Sequence, residues 1–125
     1  MLEVEVIGDA LPEARVVEAC RLAAASAGVE DGHLAVEFVG AERIAALNRE
    51  HRGKDGPTDV LSFPVDERAE PLGPRELGDV VICPDHTEDL LEAVVHGVLH
   101  LTGMDHERDG GEMLALQTEI VGWMR

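Results

Sequence analysis

The sequence predicts a single α/β (α+β) domain over residues 1–125, with helices packed on a sheet that is at least partly parallel. Three observations predict it. Strand-like and helix-like segments alternate from Leu2 to Glu50, the opening of a crossover that makes neighbouring strands parallel. The run around Val80-Val81-Ile82 is almost wholly apolar and belongs inside a sheet. A chain of 125 residues is also long enough to bury one core without disulfides or a structural metal.

The elements follow in order. Leu2, Val4 and Val6 alternate with Glu3, Glu5 and Ile7, a strand over 2–7 with one wet face. Gly8, Asp9 and Pro12 turn the chain into a helix over 12–27, whose inward set is Val16, Cys20, Ala23, Ala24 and Ala27, and Gly28 closes it. A strand over 33–39 alternates Leu34, Val36 and Phe38 and ends at Gly40. A helix over 41–50 turns Ile44 and Leu47 inward. Residues 51–59 read as a loop from their Gly and Pro content and lead into a short strand, 60–64. The polar stretch 66–76, with Pro71, Gly73 and Pro74, reads as a surface loop before a strand over 77–83. Asp85 and Glu88 have capping-box spacing and predict the start of a helix whose body, Leu90 to Leu101, is apolar on most faces and therefore central. A last helix over 109–124 turns Met113, Leu116, Gln117, Ile120 and Met124 inward.

Twenty-six acidic against ten basic residues give a net charge of −16, which favours solubility and by itself argues against a nucleic-acid partner. The distribution is uneven: in the window 43–54, Arg43, Arg49, Arg52 and Lys54 face Glu50 alone. No segment has the apolar length of a membrane span, and Met1–Ile7, alternating and acidic, does not read as a signal peptide. Cys20 and Cys83 form no C-x-x-C and lie in apolar segments, which predicts reduced, buried thiols in a cytoplasmic protein.

The chemistry concentrates between His96 and His106. His96 and His100 are four apart in a helical run and therefore share a face. Gly103 can take the left-handed conformation that ends a helix, which lets His106 return beside them. A lone histidine on an apolar face is usually a satisfied core residue, but three in this spacing read as a metal site. Three imidazoles leave one position of a tetrahedral zinc open, as catalytic sites do. A glutamate after His96 would make a zinc-peptidase helix with its general base attached; Gly97 stands there instead, so another hydrolysis has to be considered. His33, His51 and His86 lack ligand spacing and read as surface residues, His51 with the prospect of lining a cleft beside Arg52. Phe38, Phe63 and Trp123 are too few and too scattered for a base-stacking platform.

Three blocks in this order resemble the YbeY family of metal-dependent endoribonucleases that mature ribosomal RNA. They are Leu47-Asn48 with Arg52 leading into Pro57-Thr58-Asp59-Val60-Leu61-Ser62-Phe63-Pro64, then Leu77-Gly78-Asp79-Val80-Val81-Ile82, then His96 to His106. The first forty residues match in pattern alone. The resemblance implies a mixed four-stranded sheet, one Zn2+ held by His96, His100 and His106, and Arg52 facing the cleft and needed for activity. It also implies single-strand-specific cleavage in 16S rRNA maturation and ribosome quality control, with ribosomal RNA and small-subunit proteins as partners. One departure is the connection from Ile82 to His96, which is short where the family inserts roughly another helix; this bears on the groove and on a protein-docking face, not on the ligands.

A zinc on three imidazoles brings the pKa of its water to about 7 without a neighbouring carboxylate, which suits the absence of a glutamate after His96. Arg52 would then stabilise the negative charge of a phosphodiester transition state, and attack by water or by the RNA 2′-hydroxyl are both open. Asp59, Asp79 and Asp105 are candidates to hold a ligand imidazole through its second nitrogen, Asp105 having the best claim by adjacency. Two other functions stay open: a zinc hydrolase of a different ester or amide, and a non-enzymatic ribosome assembly factor stabilised by its metal.

Overall fold

A computed structural model describes residues 1–65 and 75–125 of the chain. Its elements in order are β1 (Leu2–Ile7), α1 (Glu13–Ser26), β2 (Gly32–Phe38), α2 (Ala41–Arg52), β3 (Val60–Pro64), β4 (Glu76–Ile82), a 3-10 turn (Pro84–His86), α3 (Leu90–Leu101) and α4 (Glu112–Met124). The four strands form one mixed sheet in the order β1-β2-β4-β3, with β1 parallel to β2, β2 parallel to β4, and β3 antiparallel to β4. The surface loop expected over 66–76 falls for the most part outside the described residues.

The sheet separates two cores of unequal size. On one face, Leu34 and Val36 of β2 and Val80 and Ile82 of β4 meet Val16 and Cys20 of α1, Val94 and Val98 of α3, and Met113 and Ile120 of α4. On the other, Ile44 and Leu47 of α2 cover Leu61, Val81 and Cys83. Both cysteines are buried and free, and burial pushes the Cys20 thiol up to about 12, which keeps it protonated and inert. No helix among the described residues is long and apolar enough to cross a membrane.

Three boundaries differ from expectation by two residues or more, each for a local reason; those of α1, β2 and β4 shift by one. Helix α2 runs two residues beyond Glu50, because Gly53, at φ 65°, supplies the left-handed cap whose N–H returns to the Arg49 carbonyl. Arg52 is therefore the last helical residue rather than part of a loop. Asp85 does not cap α3; it lies in the 3-10 turn begun by Pro84, and Asp89 is the cap, accepting from the Glu92 N–H at 3.1 Å. Helix α4 starts at Glu112 instead of 109, and the Asp109 carboxylate turns forward to accept from the N–H groups of Gly111 and Met113. Those two bonds hold Asp109 below the usual carboxylate range.

Candidate metal centre

Helix α3 is built to run through the interior. Eight of its twelve residues are buried, and the two that carry imidazoles, His96 and His100, are half-buried on the face that looks out past β3. The helix ends where Gly103, at φ 102°, reverses the chain, so that the Met104 N–H bonds back to the Leu99 carbonyl. This turn brings His106 against the other two. The three ring centroids stand 4.7, 5.1 and 5.2 Å apart, and one nitrogen from each ring lies within 4.8 Å of the others.

The rings are oriented by groups behind them. His100 Nδ1 donates to the Met104 carbonyl at 3.0 Å; a carbonyl only accepts, so Nε2 keeps its lone pair. His96 Nδ1 lies 2.7 Å from Oε1 of Gln117, a residue of α4 only 8 % exposed, which likewise leaves Nε2 free. His106 Nδ1 is buried without a partner among the described residues, with Asp105 Oδ1 4.0 Å away, too far for a hydrogen bond. Burial first, and then the neighbouring His96, lowers the pKa of His100 below its ordinary value. Three converging imidazoles with free nitrogens, one of them held neutral, fit a borderline cation such as zinc.

The carboxylates singled out from sequence do not take the orienting role. Asp59 Oδ1 accepts from the Val60 N–H and the Thr58 hydroxyl and so shapes the entry to β3. Asp79 is exposed on β4 and bonds to none of the three rings. Asp105 accepts from the Glu107 N–H and lies 3.4 Å from Arg108 Nε. Gln117 and the Met104 carbonyl fill the positions instead. The only sequence signal for Gln117 was a polar residue in an otherwise apolar inward stripe; the carbonyl had none.

The triad lines an open cleft of about 1250 Å³. The edge strand β3 and the C-terminal end of α2 contribute to this cleft, as do the start of α3 and the turn after it. Arg52 lines it too, the one Arg or Lys to do so among the described residues, while Glu88, Asp89, Glu92, Asp105 and Glu107 line the α3 side. Elsewhere on α2 the exposed Arg43 and Arg49 stand beside the exposed Glu42 and Glu50, and Arg49 Nε lies 3.6 Å from Asp55 Oδ1. His51 and His86 also face the cleft, whereas His33, expected on the surface, is half-buried on β2 with Nδ1 2.8 Å from Glu76 Oε2.

Fold and site together define a class: an α+β domain whose three histidines can hold a metal ion in a cleft that opens across a sheet edge. Comparison with known proteins narrows it. The profile of the family described as Endoribonuclease YbeY matches residues 9–124. A protein named Endoribonuclease YbeY from Rubrobacter xylanophilus is 44 % identical over 124 residues, covering 94 % of this chain and 89 % of its own. A protein of the same name from Bacillus cytotoxicus is 43 % identical over 122 residues, covering 80 % and 78 %. The solution structure of TM1509 from Thermotoga maritima superimposes with a TM-score of 0.63 at 29 % identity, over 97 % of this chain and 88 % of that one. The chain belongs to the YbeY family.

Proposed function

We propose that this chain is a zinc-dependent, single-strand-specific endoribonuclease of the cytoplasm, acting in 16S rRNA maturation and ribosome quality control alongside small-subunit proteins. The observation that carries the reading is the convergence of His96, His100 and His106 on one point of a cleft that Arg52 also lines. Family membership supports the endoribonuclease activity. A zinc held there would supply a Lewis acid and, at neutral pH, an activated water.

The chain's own residues do the rest. Gln117 and the Met104 carbonyl fix two imidazoles with Nε2 toward the cleft, so that no reorientation is needed when phosphate arrives. Arg52, exposed at the end of α2, presents a planar fork of donors suited to the non-bridging oxygens of a phosphodiester, where charge grows in the transition state. The cleft is open, so a polynucleotide can enter without presenting an end. Peptide hydrolysis is the weaker reading, because Gly97 leaves the helix without the carboxylate that a peptidase of this spacing uses as its base.

The test pairs metal content with cleavage. Wild type and His100→Ala are purified, zinc is quantified, and both are offered a labelled single-stranded RNA whose product ends are analysed. One zinc per chain, lost together with cleavage in the variant, is expected; cyclic phosphate ends would assign the attack to the 2′-hydroxyl and 5′-phosphate ends to water. Bound zinc with no cleavage of any RNA would overturn the nuclease reading and leave the other hydrolase or the assembly role.

A further inference from the structure

His51 and Phe63, separated in sequence by the whole loop between α2 and β3, meet on the cleft wall with ring centroids 4.9 Å apart and planes at 65°. Phe63 is half-buried against the cluster of Ile44, Leu47 and Leu61, so it is a fixed backing; His51, beside Arg52 in the last turn of α2, is exposed in front of it. We infer that this pair is a base-stacking ledge that takes one unpaired nucleobase next to the scissile phosphate, with the His51 ring as the contact surface. The inference rests on the endoribonuclease reading and names the part of the substrate that reading leaves unassigned.

Three features carry it. The first is charge: carboxylates line the α3 side of the cleft, whereas Arg52, the residue after His51 on α2, is the one Arg or Lys to line it among the described residues, so a phosphate is drawn to the wall that holds the rings. The second is position. Ser62 Oγ donates to the Gly97 carbonyl at 3.3 Å, next to His96, and Phe63 is the following residue, on the opposite face of the strand. Strand β3 is the edge of the sheet, so the cleft passes over it, and the ledge and the triad stand on its two sides. Triad and rings line the same cleft, so a nucleic-acid strand that crosses β3 with one phosphate at the triad passes over His51. The third is chemistry: unstacked bases pack on aromatic, histidine and arginine planes, and every base offers a π-face. Such a ledge selects for an unpaired base without selecting which base, a direct source of single-strand preference.

The test uses the zinc-loaded protein and a short single-stranded RNA carrying the fluorescent base 2-aminopurine at each position in turn. Wild type should quench one position strongly. His51→Ala should lose that quench and raise KM about tenfold, the loss for one stacked base, and His51→Phe should restore both. An abasic nucleotide at the quenched position should make wild type behave like His51→Ala. His51 is exposed, so its truncation leaves the core intact. No quench at any position, or quench and KM unchanged in His51→Ala, would overturn the ledge. A position-specific quench without cleavage would leave the ledge standing and remove the nuclease reading on which its purpose rests, so the two failures are distinguishable.

Discussion

A Cβ on Gly97 would stand 2.4 Å from Cγ1 of Val80, so α3 lies closer to β4 than any side chain at position 97 permits. Val80 is fully buried and β-branched, with little freedom to move aside. Gly97→Ala should therefore destabilise the fold by about 1–3 kcal/mol through overpacking. Val80→Ala in the same chain should recover part of that loss, a coupling that urea unfolding of the two single variants and the double variant would measure. Unchanged stability in Gly97→Ala would show that the close approach is not what the glycine provides. The same contact explains why the peptidase glutamate is absent: it has no room.

Gln117→Leu should lower zinc affinity about 10- to 100-fold, the usual effect of removing the partner behind a ligand imidazole. Gln117→Glu, which keeps an oxygen acceptor 2.7 Å from His96 Nδ1, should retain it. Competition with a chromophoric chelator reads the affinity, and nitrogen chemical shifts of the metal-free protein read the His96 tautomer. Equal affinity in all three proteins would remove Gln117 from the site.

Arg52→Ala should fold and load zinc normally, since the side chain is exposed and makes no hydrogen bond among the described residues. Its cleavage rate should fall about 10²- to 10³-fold, the size of effect seen when one transition-state donor is removed. Undiminished cleavage would assign Arg52 to the solvent.

Asp89 links the start of α3 to Arg125 and contributes pH-dependent stability. Burial works to raise its carboxyl; the Glu92 N–H, the Arg125 guanidinium and the Leu91 N–H outweigh it and hold the group below its ordinary value of 3.8. A lowered folded pKa means that the stabilisation is fully present above about 3.8 and is lost as pH falls through the folded value. Asp89→Ala should thus cost about 1 kcal/mol near neutrality. That difference from wild type should shrink in urea titrations at acid pH; a constant difference would rule out the carboxylate as its source.

The histidine triad was legible in sequence because its logic is local: a repeat of four places two rings on one helical face, and a glycine returns the third. The resemblance, not the spacing, pointed to Arg52, whose sequence neighbourhood reads as an ordinary charged loop. What stayed hidden depends on distant parts of the chain. Asp85-x-x-Glu88 and Asp89-x-x-Glu92 both satisfy the capping pattern, and the turn begun by Pro84 decides between them. The orienting atoms behind His96 and His100 come from α4 and from a backbone carbonyl, which no side-chain pattern marks. Phe63 looked isolated because its partner ring lies across a loop.

The placement of the site along the chain also has a consequence in time. All four strands lie before residue 83, while the three imidazoles span 96–106 and Gln117 follows them on α4. Synthesis runs from the N-terminus, and folding tends to follow it. The strands are thus made before the first imidazole of the triad, whereas half of the larger core, on α3 and α4, is made with the triad and after it, and so is the support for His96. The order in which the chain is made therefore places the sheet first, the three imidazoles second and the group that orients His96 last.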